Sequence, residues 1–418
     1  MRAARLLVAV VVVVGCGGDD AATAIDAALP PDGALPVDAS LPIDAADPGP
    51  DAAPGATVVR VHYPAGTHTV TLRGSGAPLS WTSGVALTAG ADDTWTFTAT
   101  GLAAPIELKP LLDDATWARG PNYHLAPGQQ LDLYPHFTAT AGRVITLIPS
   151  FTSTALGNSR AIRAYLPAAY DENPRARFPV LYMHDGQNLF DPATAFGGNE
   201  WQVDEALDAA GEAGRCASGA TCGNDGDCGG GACLTTRDTI VIGIDNTPGR
   251  IWELTPTADA SIGDGGGGDA YLTMVATELK PTVDAMLRTS PGPADTAIMG
   301  SSLGGLISAY AGVTRPGVFG LVGAMSPSTW WDERVIIARV AATPATPRPR
   351  RVYVDSGNAG ASSDDVANTN QLAQTYLGLG YVEGTTFHHV VQAGATHSEV
   401  YWAQRFPAAA LFLMGARP

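Results

Sequence analysis

Grouped positive charge is missing from this sequence. Its 418 residues carry 24 lysines and arginines against 41 aspartates and glutamates, a formal net charge of −17, and the cations form no extended basic stretch. Nucleic-acid binding draws on clustered Lys and Arg set against phosphates, so this charge balance weakens the case for nucleic acid, and no nucleic-acid partner is expected. A membrane-crossing run is missing too. The apolar stretch from Leu6 to Val14 is nine residues long, well short of the ~20 that span a hydrocarbon core. Residues 17–55 contain no aromatic residue and are nearly all Ala, Asp, Pro and Gly, so they cannot bury a core. Cysteine is confined to Cys16 and to the short stretch from Cys216 to Cys233.

What the N-terminus does hold is ordered like a secretory signal: Arg2 and Arg5, the apolar run, then Gly15-Cys16. Val13-Val14-Gly15-Cys16 resembles the lipobox at which bacterial signal peptidase cuts and the cysteine is lipidated, which predicts residues 1–16 as a leader and Cys16 as a membrane anchor. A plain secretory signal is the alternative, and either way the protein is expected in the cell envelope, outside the cytoplasm. In residues 17–55, Leu-Pro-x-Asp recurs at Leu29, Leu35 and Leu41. Spaced prolines favour extended geometry, so this segment reads as a disordered tether reaching on the order of 100 Å at ~3.1 Å per residue.

Cys216, Cys222, Cys228 and Cys233 lie in a Gly-rich insert over residues 211–235. In an exported chain such clustering predicts two local disulfides. A zinc site is the rival reading, weakened by the absence of histidine from the loop. Asp225 and Asp227 could hold Ca²⁺ or simply belong to a solvated loop.

Two folded parts follow the tether. Over residues 56–138, short alternating runs such as Val58–Tyr63, Thr67–Leu72, Trp95–Thr98 and Ile106–Lys109 are separated by Gly, Pro, Asn and Asp. Period-two runs of this kind predict a small antiparallel β-sandwich. From residue 140 to the end, apolar β-branched runs alternate with amphipathic stretches, the pattern of an α/β protein with a mostly parallel sheet covered by helices. Eight candidate strands over some 280 residues fit an α/β-hydrolase: Val144–Ile148, Ser159–Leu166, Val180–Met183, Thr239–Ile244, Thr296–Met299, Gly320–Met325, Val352–Val354 and Phe387–Val391.

Gly300-Ser301-Ser302-Leu303-Gly304 fits G-x-S-x-G, weak evidence as a bare pattern. Its setting strengthens it, because an apolar strand run precedes it and the helix-like Leu303–Tyr310 follows, as in a nucleophile elbow. A serine hydroxyl needs a base to take its proton. His397 follows the last predicted strand and comes after Ser302 in chain order, as this fold requires; His184, near a predicted strand end, is a weaker candidate. The acid that orients the imidazole is expected on the loop after Val352–Val354, with Asp364 the first candidate, Asp365 the second, and Asp355 a competitor at the strand end. For the oxyanion, the backbone N–H of Leu303 is one expected donor and that of Gln187 or Gly186 the other.

Tyr182–Phe190 (Tyr-Met-His-Asp-Gly-Gln-Asn-Leu-Phe), Asp245–Pro256, the Gly300–Gly305 elbow and Trp330-Trp331 together resemble the putative-esterase family, which includes enterochelin, feruloyl and acetyl-xylan esterases, S-formylglutathione hydrolases and mycolyltransferases. The resemblance covers about residues 140–415. It implies a serine carboxylic-ester hydrolase with a Ser302–His397–Asp364 triad and with neither metal nor cofactor. The Cys-rich insert and the long loop carrying the acid depart from the family pattern. The segment from Glu107 to Tyr123 is similar to starch-binding-type and related early-set modules, where a lysine, a tryptophan and an asparagine can line a glycan site. That resemblance implies that Trp81 and Trp117 could stack on sugars, although tryptophans of a sandwich are more often core. The expected substrate is a small-molecule or glycan-linked ester: acylated polysaccharide, hydroxycinnamoyl or siderophore ester. An acyltransferase and a non-catalytic surface glycan-binding protein are the alternatives.

Overall fold

The computed structural model describes residues 56–99 and 101–417. The leader, Cys16 and the tether lie outside the described residues. Among those described, no helix is long and apolar enough to cross a membrane.

The N-terminal part is a β-sandwich. One sheet joins Thr88–Ala89, Thr94–Ala99, Thr57–His62 and Gln130–Leu133 in that order. The other joins Val85–Ala86, Val70–Gly74, Ile106–Leu112 and Thr116–Trp117, with Tyr123–Leu125 also paired to Ile106–Leu112. Alternation places Val59, Val61, Leu72, Leu108 and Leu125 in the layer between them, all fully buried. The pairing departs from a purely antiparallel sandwich at one place, where Thr57–His62 runs parallel to Gln130–Leu133. The whole other sheet intervenes in sequence, and that long connection lets the chain return in its original direction.

The remainder is built on one eight-stranded sheet: β1 (Arg143–Thr152), β2 (Ser159–Leu166), β3 (Val180–His184), β4 (Ile240–Ile244), β5 (Thr296–Ser302), β6 (Leu321–Pro327), β7 (Arg351–Gly357) and β8 (Phe387–Gln392). The spatial order is β1-β2-β4-β3-β5-β6-β7-β8. β2 is antiparallel to both its neighbours and every pair from β4 onward is parallel. This is the α/β-hydrolase topology. Burial on both faces explains the near-continuous apolar strands. In β3, Val180 and Tyr182 enter one core layer while Leu181 and Met183 enter the layer on the opposite face.

The helices that bear on the site are α1 (Ala169–Glu172), α2 (Val203–Glu212), α3 (Leu303–Thr314), α4 (Val366–Gly378) and α5 (Glu399–Met414). The insert between α2 and β4 carries two disulfides, Cys216–Cys228 and Cys222–Cys233, so the zinc alternative does not hold. The insert faces the sandwich: Asp225 N donates to Glu107 at 2.9 Å, His124 Nε2 lies 3.0 Å from Asp225, and Asn122 N donates to Gly223 O. Asp227 caps its own short turn.

Candidate active site

β5 ends at Ser302, whose φ of 57° and ψ of −123° are rare for a residue with a Cβ. Strain of this kind persists only where the surroundings hold it. Here the surroundings are close. A Cβ on Gly300 would lie 2.9 Å from the His184 ring, and one on Gly305 would lie 2.8 Å from Met325 O. Glycine at both positions allows α3 to turn tightly back over the sheet, leaving Ser302 half-buried at the C-terminal edge.

Beneath the elbow sits His184, at the end of β3. Its Nδ1 lies 2.7 Å from the Tyr271 hydroxyl and its Nε2 lies 3.2 Å from Ser308 Oγ. Ser308 donates its own proton to Gly304 O, so it accepts from Nε2–H, and Nδ1 accepts from Tyr271. Burial presses the His184 pKa down to about 4. This neutral core histidine supports the elbow from below and does not meet Ser302.

His397 lies on the loop between β8 and α5, with its ring edge-on to Trp402 at a centroid distance of 4.9 Å. Its Nδ1 donates to Asp364 Oδ1 at 2.6 Å. Asp364 is buried, on a short turn between β7 and α4, and its other oxygen accepts from Ser326 Oγ at 2.6 Å and from Gly357 N–H. Burial pushes its carboxyl up, and the His397, Ser326 and Gly357 donors together outweigh that, leaving it below the usual carboxylate range. Asp365 points elsewhere, accepting from Trp330 N at 3.1 Å and Asn368 Nδ2 at 2.6 Å. Asp355 is fully buried and pairs with Arg405 Nε at 2.9 Å and with Ser326 N at 2.9 Å. Of the three aspartates considered, Asp364 is therefore the one that meets His397.

Leu303 is the first residue of α3, directly after Ser302. Gln187 lies on the short turn Gly186–Asn188 that follows β3. β3 and β5 are adjacent and parallel, so this turn and the elbow share one edge of the sheet. The turn is fixed from several sides: Asp185 takes a two-pronged ion pair from Arg250 at 2.7 and 2.8 Å, and Gln187 Oε1 accepts from Asn246 N at 3.1 Å. One neighbour escaped the sequence reading. Ser328, after β6, places its Oγ 3.3 Å from Ser302 Oγ and donates its N–H to Ser302 O at 2.9 Å. No motif distinguishes it from the other serines.

In the sandwich, Trp81 and Trp117 are exposed rather than core, with ring centroids 6.2 Å apart and Arg73 over Trp117. Lys109 and Asn122 are turned to other tasks, donating to Gly120 O and to Glu107.

The eight-stranded sheet, with Ser302 at a strand-to-helix turn and a histidine–carboxylate pair on the loops after β7 and β8, is that of an α/β-hydrolase. Residues 233–413 match the family model described as putative esterase. The uncharacterized protein YbbA of Bacillus subtilis is 25% identical over 268 residues, 62% of this chain and 93% of YbbA. The siderophore enterobactin esterase of Emericella nidulans is 35% identical over 102 residues, 22% of this chain, which thus spans only 34% of that relative's length. An IroE-like serine hydrolase of Shewanella oneidensis superimposes with a TM-score of 0.47 at 19% identity, covering 65% of this chain and 80% of that one. The putative-esterase match and the siderophore-esterase relatives support ester hydrolysis, and two disulfides are compatible with a place outside the cytoplasm.

Proposed function

We propose that this protein hydrolyses an extracellular carboxylic ester through an acyl-enzyme, with Ser302 as nucleophile, His397 as base and Asp364 as the orienting acid. The observation that carries the reading is a strained strand-to-helix turn at Ser302 in the same domain as a histidine whose Nδ1 is fixed 2.6 Å from a buried carboxylate. With Nδ1 holding its proton on Asp364, Nε2 keeps the lone pair that takes the serine proton. The imidazolium formed as Ser302 attacks the carbonyl is stabilised by the Asp364 charge. The N–H groups of Leu303 and Gln187 are the donors for the oxyanion. Nε2 then passes its proton to the leaving alkoxide, and water attacks the acyl-enzyme by the same path in reverse.

The substrate is a small-molecule or glycan-linked ester, and the siderophore-esterase relatives favour the siderophore class among those expected. The leader and the lipobox-like Val13–Cys16 support attachment of the enzyme to an envelope membrane through Cys16, with residues 17–55 as tether; labelling with a palmitate analogue that is lost in Cys16→Ser checks this.

The test is hydrolysis of short-chain p-nitrophenyl esters by the whole protein beside Ser302→Ala and His397→Ala. Either substitution is expected to lower kcat by about 10⁶. Equal inertness of wild type and Ser302→Ala across a broad ester panel would remove the reading.

A further inference from the structure

Beyond the three residues of the proposed triad, and resting on that reading of the site, we propose that Ser326 and Arg405 are positioning residues that set the direction of the hydrogen bonds converging on Asp364, and through Asp364 the protonation of His397.

The argument begins with a donor that cannot reverse. A guanidinium has five N–H donors, no acceptor, and stays protonated. Arg405, buried on α5, places Nη2 2.8 Å from Ser326 Oγ, Nη1 2.9 Å from Gln392 Oε1 and Nε 2.9 Å from Asp355 Oδ2. Ser326 Oγ must therefore accept from Arg405, so its own hydrogen is directed to its remaining partner, Asp364 Oδ2, 2.6 Å away. Gly357 N–H donates to that same oxygen. With Oδ2 taking two donors, Oδ1 is left to His397 Nδ1 at 2.6 Å. One fixed cation thus dictates the polarity of a four-member chain ending at the imidazole.

The surroundings are built for this arrangement. Ser326, Asp355, Asp364 and Arg405 are all at most 5% exposed. Ser326 sits at φ 36°, a conformation unusual for a residue with a Cβ. That turn carries its N–H to Asp355 Oδ1 at 2.9 Å while its hydroxyl reaches Asp364. Two loops also meet closely here. A Cβ on Gly357 would lie 2.1 Å from Ala395 O, so glycine lets the end of β7 pass against the loop that carries His397.

Charge counting gives the functional consequence. The charged and titratable groups facing the cluster are Asp355 and Tyr353 from β7, His389 from β8, Arg405 and Glu399 from α5, Asp364 and Asp365 from the turn before α4, and His397 from the loop before α5. Arg405 cancels Asp355. Asp364 then stands as a buried charge, spread over three donors, that becomes fully paired only when His397 is protonated. An unpaired buried charge is costly, so the arrangement favours the imidazolium at the step where Ser302 attacks. Ser326 moderates that preference by drawing charge away from Oδ1.

Ser326→Gly is the decisive variant. Glycine adopts φ 36° freely, so the backbone is kept and only the hydroxyl is lost; Ser326→Ala serves as a second. Measured with p-nitrophenyl esters, kcat is expected to fall on the order of 10–100-fold, the range for losing a bond that orients a functional group, with KM unchanged. The alkaline-rising limb of the kcat/KM profile should move to higher pH, because charge concentrates on Asp364. A folded Ser326→Gly with wild-type kcat and an unmoved limb overturns the proposal. So does a fall in kcat that tracks the melting temperature with no movement of the limb, the mark of a structural role alone. If wild type shows no Ser302-dependent hydrolysis, it is the esterase reading that fails, and the proposal is then decided by NMR: the midpoint of the His397 titration either moves up in Ser326→Gly or the network has no such role.

Discussion

Asp364 and Asp365 are adjacent and chemically identical, yet their surroundings give them different work. Asp364 is held by donors that leave its carboxyl below the usual range, against the push of burial. For Asp365, burial and the neighbouring Asp364 charge win over the Asn368 and Trp330 donors, and its carboxyl is raised. Asp364→Asn keeps the shape but offers an amide where a carboxylate fixed the imidazole, so kcat is expected to fall by roughly 10⁴. Asp365→Asn should leave kcat within a few-fold and instead loosen the start of α4 and the Trp330 turn. Steady-state kinetics of the two variants side by side, with thermal melts, separate them; a larger kcat loss in Asp365→Asn would reverse the assignment.

At the scale of elements, the elbow is as rigid as what lies under it. β3, α3 and the helical segment bearing Tyr271 meet at His184, a neutral imidazole whose two nitrogens are both engaged. Its pKa, about 4 against an ordinary 6.5, is depressed, so between those values the unfolded chain binds a proton that the folded protein refuses. This group's contribution to stability is complete above pH 6.5 and lost progressively as the pH falls to 4. Urea unfolding between pH 7.5 and 4 should therefore show a downward slope in wild type that is reduced in His184→Gln, which is also expected to be less stable at pH 7.5. The Cys-rich insert is an element of a different kind, pinned to the sandwich at Glu107, Asn122 and His124 rather than to the loops of the site. Its bridges close spans of 12 and 11 residues, worth about 2–3 kcal/mol each through the unfolded chain. Reduction under native conditions is expected to lower the melting temperature while ester hydrolysis at 25 °C persists; parallel loss of both would place the insert at the site.

The whole molecule is held together by a few polar anchors between sandwich and hydrolase. Glu172, at the end of α1, accepts from the N–H groups of Phe137, Thr138 and Ala139, from the Thr138 hydroxyl and from Tyr63. Asn173 beside it reaches His62 O and Pro135 O, each at 2.9 Å. At the far end of the chain, Arg417 bonds Arg119 O and the Tyr123 hydroxyl and lies over the Tyr123 ring. Burial raises the Glu172 carboxyl, and its many donors more than reverse that, bringing it to about 2 from 4.5. A depressed carboxyl stabilises the docked state above about pH 4.5, and that support is lost as the pH drops toward 2. Glu172→Gln should weaken docking at neutral pH and flatten this acid dependence, read by limited proteolysis in the 137–142 connection at pH 7 and pH 3.

The sequence by itself determined the layers and the position of the elbow at Ser302. Periodicity separated the sandwich from the α/β part because a strand with one wet face alternates while one buried on both faces does not. Glycines around Ser302 marked the elbow because only backbone without a Cβ can pack that closely, and the clustering of four cysteines within eighteen residues marked the disulfides. Tertiary structure decided what depended on elements distant in sequence. Asp364 could be separated from Asp365 and Asp355 only when β7, the turn before α4 and the loop after β8 came together around His397. Arg405, 79 positions from the Ser326 hydroxyl it orients, carried no local signal at all. Trp81 and Trp117, which pattern alone left between core and surface, proved exposed. A motif records constraints that neighbouring residues impose on one another, whereas the direction of a hydrogen bond or the charge beside a carboxylate is set by whichever distant segment the fold brings into contact.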